Sequence, residues 1–139
     1  MTPHLLLIED DEAAAYLTLK VFKACGFNAW IDVVQDGIEA MRYLSCQGPY
    51  ADRQSGNPSL ILLDLKLPNL DGFEVLKQIR TTPSLSSIPV FILSASGADE
   101  DINRSNLLGI SKYIVKPLDM HEFCPEAKKV FGPPKASFQ

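Results

Sequence analysis

The chain has no apolar stretch approaching the roughly 18 to 20 residues that a membrane-spanning helix needs. The run Leu5 to Ile8 is also too short for a signal peptide, and Met1-Thr2-Pro3-His4 carries no basic region before it, so neither a membrane nor a secretory fate is expected. Cysteine is scarce. Cys25, Cys46 and Cys124 are odd in number and form no C-x-x-C pair, which predicts small apolar packing thiols in a reducing cytosol rather than a disulfide framework. Basic residues are outnumbered, 13 Lys and Arg against 17 Asp and Glu, and they are scattered along a chain of net charge -4. That balance argues against a nucleic-acid or anionic-membrane surface.

What is present suits one globular domain. The 139 residues, 46% hydrophobic and 22% charged, can bury a core without metal or disulfide staples, and they leave no room for a separate output domain. Leu5-Leu6-Leu7-Ile8, Leu60-Ile61-Leu62-Leu63 and Val90-Phe91-Ile92-Leu93 are apolar at every position, the mark of strands buried on both faces of a parallel sheet. Trp30 to Val34 and Lys112 to Val115 add two weaker strands. Helical spacing lies between them, with Leu17, Val21 and Ala24 as the first predicted inward stripe, Ile38, Met41 and Leu44 as the second, and Phe73, Leu76 and Ile79 as the third.

Asp11, Asp36-Gly37 and Asp71-Gly72 are expected to open helices, with Asp99 or Asp101 opening the fourth around Ile102 to Leu108; Gly26 and Gly109 are expected to stop helices one and four. The rhythm is βα repeated five times, an α/β fold with right-handed crossovers and helices on both sheet faces. Gly48 to Ser59 reads as an extended loop. Pro125 predicts a fifth helix that starts late or kinks, ended by Gly132-Pro133-Pro134. Residues 1–132 are expected to form the domain and 133–139 a mobile tail.

In such a sheet, chemistry collects beyond the carboxyl ends of the strands. Glu9, Asp10 and Asp11 follow the first strand, Asp64 ends the third, Ser94 the fourth and Lys116 the fifth. Carboxylates brought together repel unless a cation lies among them, and an oxygen-only cluster suits Mg²⁺. With metal bound, Asp64 is a candidate nucleophile on phosphorus, Glu9 and Asp10 are candidate metal ligands, and Lys116 and Ser94 can pair with phosphoryl oxygens. Taken singly, the acids after the first strand read equally well as helix caps.

The segments Leu-Leu-Leu-Ile-Glu-Asp-Asp, Leu-Ile-Leu-Leu-Asp-Leu-Lys-Leu-Pro-Asn-Leu-Asp-Gly, Val-Phe-Ile-Leu-Ser-Ala-Ser and Tyr-Ile-Val-Lys-Pro, in this order between about Leu5 and Phe131, resemble the receiver domains of bacterial response regulators, the CheY-like family. The resemblance implies the flavodoxin-like strand order 2-1-3-4-5. It implies Asp64 as phosphoacceptor from a sensor histidine kinase, the backbone carbonyl of Lys66 as a further metal ligand, Ser94 and Tyr113 as switch residues, and a cytoplasmic signalling protein that catalyses only its own phosphorylation and dephosphorylation. An unknown downstream protein is expected on the fourth helix, fifth strand and fifth helix. Lys66 and Ser96, each two residues beyond a site residue, are expected to set the phosphoryl lifetime.

The loop at Gly48 to Ser59 resembles that of small phytochrome-associated regulators and implies a phytochrome as the kinase. Ser94 replaces the more frequent Thr, keeping the hydroxyl. Pro125 speaks against a dimer through the fifth helix but leaves a homodimer open. A phosphatase of the haloacid-dehalogenase type would carry a second Asp two residues beyond the nucleophile, where this chain has Lys66. A flavin module would need a Gly, Ser and Thr-rich phosphate loop after the first strand, which is missing.

Overall fold

The computed structural model describes residues 3–53 and 56–133. In chain order the elements are β1 (His4–Ile8), α1 (Glu12–Ala24), β2 (Trp30–Val34), α2 (Gly37–Leu44), β3 (Leu60–Asp64), α3 (Gly72–Thr81), β4 (Val90–Ser94), α4 (Asp99–Leu108), β5 (Lys112–Val115) and α5 (Met120–Phe131). All five strands pair in parallel in the order β2-β1-β3-β4-β5. β1, β3 and β4 are buried at every residue, as continuous apolar runs require when helices cover both faces.

Period-two alternation divides the core. Leu6, Ile8, Ile61, Leu63, Val90 and Ile92 face α2 and α3, where Ala40, Leu44, Val75, Leu76 and Ile79 meet them. Leu5, Leu7, Leu62, Phe91, Leu93 and Ile114 face α1 and α5, where Ala15, Phe22, Phe123 and Ala127 complete the packing. Among the described residues no helix is long and apolar enough to cross a membrane.

Several sequence expectations need correction. The buried stripe of α1 is Ala15, Thr18 and Phe22; Leu17 is 58% exposed and Ala24 is also outside. The bulky Phe22 wins the inward position, joining a ring cluster with Phe27, Phe123 and Phe131. In α2, Ala40, Tyr43 and Leu44 are buried while Ile38 is exposed. Neither Asp99 nor Asp101 caps α4. The cap position is Ala98, which has no side chain to give, and both acids lie in the first turn. The fifth helix does not start late: it begins at Met120, capped by Asp119, and runs twelve residues through Pro125.

The cysteine expectation is overturned for Cys25 and Cys124, and Cys46, though a free thiol, is not a packing residue. Cys25 and Cys124, 99 positions apart, form a disulfide with their Cα atoms 5.6 Å apart, while Cys46 is an exposed free thiol. Parallel neighbours α1 and α5 bring the pair together, a proximity invisible to local spacing. Gly48 to Ser59 is folded where described. It opens with a 3-10 turn at Gly48–Tyr50, and the Arg53 guanidinium lies 4.1 Å from the Tyr43 ring centre. The proposed tail lies outside the described residues beyond Pro133.

Candidate functional site

Each acid reaches the carboxyl edge of the sheet for a local reason. Glu9 extends β1 by one residue, its N–H donating to the Val34 carbonyl at 3.0 Å, and its side chain is turned inward and 2% exposed. Asp10 is exposed. Asp11 leaves the cluster and caps α1 by accepting from the Ala13 N–H. Asp64 is the last residue of β3 and is buried. Its Oδ1 accepts from the Lys66 N–H at 3.1 Å, which holds the following loop against the carboxylate.

The Asp71-Gly72 step then turns that loop back. Asp71 caps α3, and Gly72 donates to the Leu65 carbonyl at 2.9 Å. A Cβ at Gly72 would stand 2.5 Å from the Asp64 carbonyl oxygen, so only glycine fits behind the site.

Carboxylate oxygens of Glu9, Asp10 and Asp64 lie within 4.8 Å of one another. The Lys116 ammonium donates to Glu9 Oε1 at 2.5 Å and to Asp64 Oδ2 at 3.3 Å. Burial, with the Asp64 carboxylate alongside, pushes the Glu9 carboxyl up to about 7 against the opposing pull of Lys116. Burial alone would lower the Lys116 ammonium, but Glu9 and Asp64 outweigh it and the net shift is upward. A carboxyl held partly protonated beside two others is short of positive charge, which is what a divalent cation supplies. The donor set is all oxygen and open on the Asp10 side. It fits a hard divalent ion.

The fourth and fifth strands bring the remaining groups. Ser94 ends β4 fully buried, and its Oγ accepts from the Ser96 N–H at 3.1 Å. Lys116 follows β5 with its own N–H on the Ser94 carbonyl at 2.8 Å and a cis peptide to Pro117. Tyr113 is half-buried, and its hydroxyl donates to the Ser96 carbonyl at 2.7 Å. Glu9, Asp10, Asp64 and Lys116 therefore meet in one cluster, while Ser94 and Tyr113 are tied to the β4–α4 loop through Ser96.

Two features escaped the sequence reading. Ser96 Oγ donates to Asp101 at 2.6 Å, linking that loop to the first turn of α4. An apolar groove of about 450 Å³ runs beside Lys116, lined by Ala14, Leu17, Thr18, Val21, Pro117 and Leu118. Leu17 was a signal for it, misassigned to the core, while Val21 lines the groove and also packs against the core.

Known proteins resemble this chain in sequence and fold. Residues 5–128 match the model of the response regulator receiver domain. Response regulator Rcp1 of Synechocystis sp. is 37% identical over 118 residues, 85% of this chain and 79% of that protein. The Mn²⁺-bound structure of Rcp1 superposes with a TM-score of 0.79 at 32% identity, covering 99% of each chain. The bacteriophytochrome response regulator RtBRR gives a TM-score of 0.87 at 38% identity over 100% of this chain and 83% of that one. The phosphorylated cyanobacterial phytochrome response regulator RcpA gives 0.79 at 36% identity, over 94% and 91%. With its parallel sheet, its acid cluster and the family match across most of its length, this chain belongs to the response regulator receiver domains and serves two-component signalling.

Proposed function

We propose that Asp64 is the phosphoacceptor, taking the phosphoryl group from a phosphohistidine of a sensor histidine kinase. The observation that carries this reading is Lys116 Nζ bridging Asp64 and Glu9 at the end of β3, within a triad of acid oxygens. Glu9, Asp10 and Asp64 would hold Mg²⁺, with the Lys66 carbonyl as a further ligand. Bound there, Mg²⁺ would neutralise the acids and the charge on the transferring phosphoryl oxygens. Asp64 Oδ2 attacks phosphorus in line, forming the acyl phosphate as the P–N bond breaks and the kinase imidazole leaves. Lys116 transfers its contacts from the carboxylates to a phosphoryl oxygen, and the Ser94 hydroxyl donates to another. Tyr113 follows Ser94 and biases the surface of α4, β5 and α5 toward a downstream protein. Leu107, 89% exposed, with Val115 and Met120, offers that partner apolar contacts.

Phytochrome response regulators among the relatives support a phytochrome as the kinase. A homodimer is compatible with this scheme, and the only chemistry ascribed to the protein is its own phosphorylation and dephosphorylation. Borohydride reduction of the phosphorylated protein tests the assignment, since an acyl phosphate on Asp64 is converted to homoserine. Homoserine at any other aspartate contradicts it.

Metal binding carries a pH signature. Glu9, raised to about 7 without a cation, must lose its proton to bind one, so Mg²⁺ affinity rises with pH up to about 7 and levels off above it. Calorimetric titration with Mg²⁺ across that range measures it, and a flat profile in wild type counts against Glu9 as a ligand.

The apolar groove beside Lys116 fits the kinase. A phosphohistidine reaching Asp64 brings its carrier helix over α1 and the β5–α5 connection, where Leu17 is exposed. Leu17→Asp is expected to slow transfer from the kinase about tenfold, the effect of losing roughly 1.4 kcal/mol of docking. Phosphorylation by acetyl phosphate is unchanged in that variant. Equal slowing with both donors would place the defect in the pocket and not in docking.

A further inference from the structure

The two proposed switch residues share one tether. Ser94 Oγ accepts from the Ser96 N–H at 3.1 Å, and the Tyr113 hydroxyl donates to the Ser96 carbonyl at 2.7 Å. Ser96 is in turn held by its own side chain, which donates to Asp101 Oδ2 at 2.6 Å and accepts from the Ala98 N–H at 3.2 Å. Every polar atom of Ser96 is thus engaged, and among the described residues its only charged partner is Asp101.

The helix that carries Asp101 is held at its far end, where the Arg104 guanidinium lies 4.0 Å from the Phe73 ring centre and Leu108 packs against the core, but little fixes its first turn. Among the residues of α4 only Ser105 is buried, and its hydroxyl finds no partner. The N-cap, Ala98, provides no side-chain bond. Among the described residues, the bond from Ser96 to Asp101 is the charge-assisted side-chain link between the β4–α4 loop and the first turn of the helix it opens.

We propose that Asp101 is a positioning residue for the switch: acting through Ser96, it holds the loop in the form that tethers both Ser94 and Tyr113, and so sets how readily the Ser94 hydroxyl is released to a phosphoryl oxygen. The inference rests on the reading of Asp64 as phosphoacceptor. Removing the acceptor at 101 takes a bond from the resting arrangement and leaves Glu9, Asp10, Asp64 and Lys116 untouched. The released form then becomes more populated. A purely structural role for the acid, as negative charge at a helix N-terminus, is shared by Asp99 in the same turn, which makes no side-chain bond among the described residues.

The test compares wild type with Asp101→Ala, Asp101→Asn and Asp99→Ala. Phosphorylation by acetyl phosphate with Mg²⁺ is timed, and amide hydrogen exchange at Ser96 is measured in the unphosphorylated protein. Asp101→Ala is expected to be phosphorylated faster by about tenfold, from the loss of one hydrogen bond to a charged acceptor, with faster exchange at Ser96. Asp101→Asn, whose amide oxygen still accepts, and Asp99→Ala stay near wild type in both. A wild-type or slower rate in Asp101→Ala, or an equal gain in Asp99→Ala, overturns the proposal. Failure of wild type to take up phosphate would instead overturn the Asp64 reading; exchange alone then decides the tether, for it if Asp101→Ala alone is faster and against it if the variants match.

Discussion

Changing Cys25 and Cys124 together to serine is expected to lower the melting temperature by about 10 °C. The disulfide joins residues 99 positions apart, so it closes a loop spanning most of the domain. Chain entropy assigns such a loop about 4.7 kcal/mol, and native disulfides commonly contribute about 2 to 4. At roughly 3 °C per kcal/mol for a domain of this size, about 3 kcal/mol gives the stated shift. The phenylalanine cluster beside it persists without the bond, so the fold is retained. Scanning calorimetry of the oxidised protein, the dithiothreitol-reduced protein and the double variant measures it. The reduced protein and the variant should agree, and three coincident transitions would show that the bond contributes nothing.

Lys116→Ala is expected to weaken the metal-free protein by about 2 to 3 kcal/mol at pH 8 and by clearly less at pH 6. Two buried carboxylates lose their shared cation, and breaking a buried pair commonly costs about 3 to 5 kcal/mol. Lys116 is 22% exposed on its side chain, which moderates the loss. The pH dependence follows from Glu9. A carboxyl whose folded value is raised opposes the fold once ionised, so its contribution is intact near the unfolded value of 4.5 and is lost as pH rises through about 7. Without Lys116 that value rises further, because the ammonium was the opposing influence. Urea unfolding at both pH values, with and without Mg²⁺, tests this. Mg²⁺ should restore more stability to the variant than to wild type; an equal loss at pH 6 and pH 8 would show that Glu9 is not the group in question.

The three continuous apolar runs made the central strands legible, because a strand buried on both faces has no polar position to blur it. The site was legible for a related reason. Glu9, Asp64, Ser94 and Lys116 interrupt or follow strands where the helical layers no longer cover the chain, and the structure brings Glu9, Asp10, Asp64 and Lys116 into contact. Helix faces were harder to assign. In α1, Leu17 and Val21 have the same period as Ala15, Thr18 and Phe22, and periodicity alone does not say which stripe meets the sheet. The disulfide and the Ser96–Asp101 bond were not legible at all. One depends on the packing of α1 against α5, the other on a loop path that no spacing rule encodes.

Intact-protein mass spectrometry after incubation with acetyl phosphate tests the central claim most directly, with wild type in Mg²⁺, wild type without metal, and Asp64→Asn in Mg²⁺. Transfer to Asp64 in a cation-dependent pocket predicts a gain of one phosphoryl mass in the first sample and none in the other two. The same gain in Asp64→Asn, or in wild type stripped of metal, would contradict it.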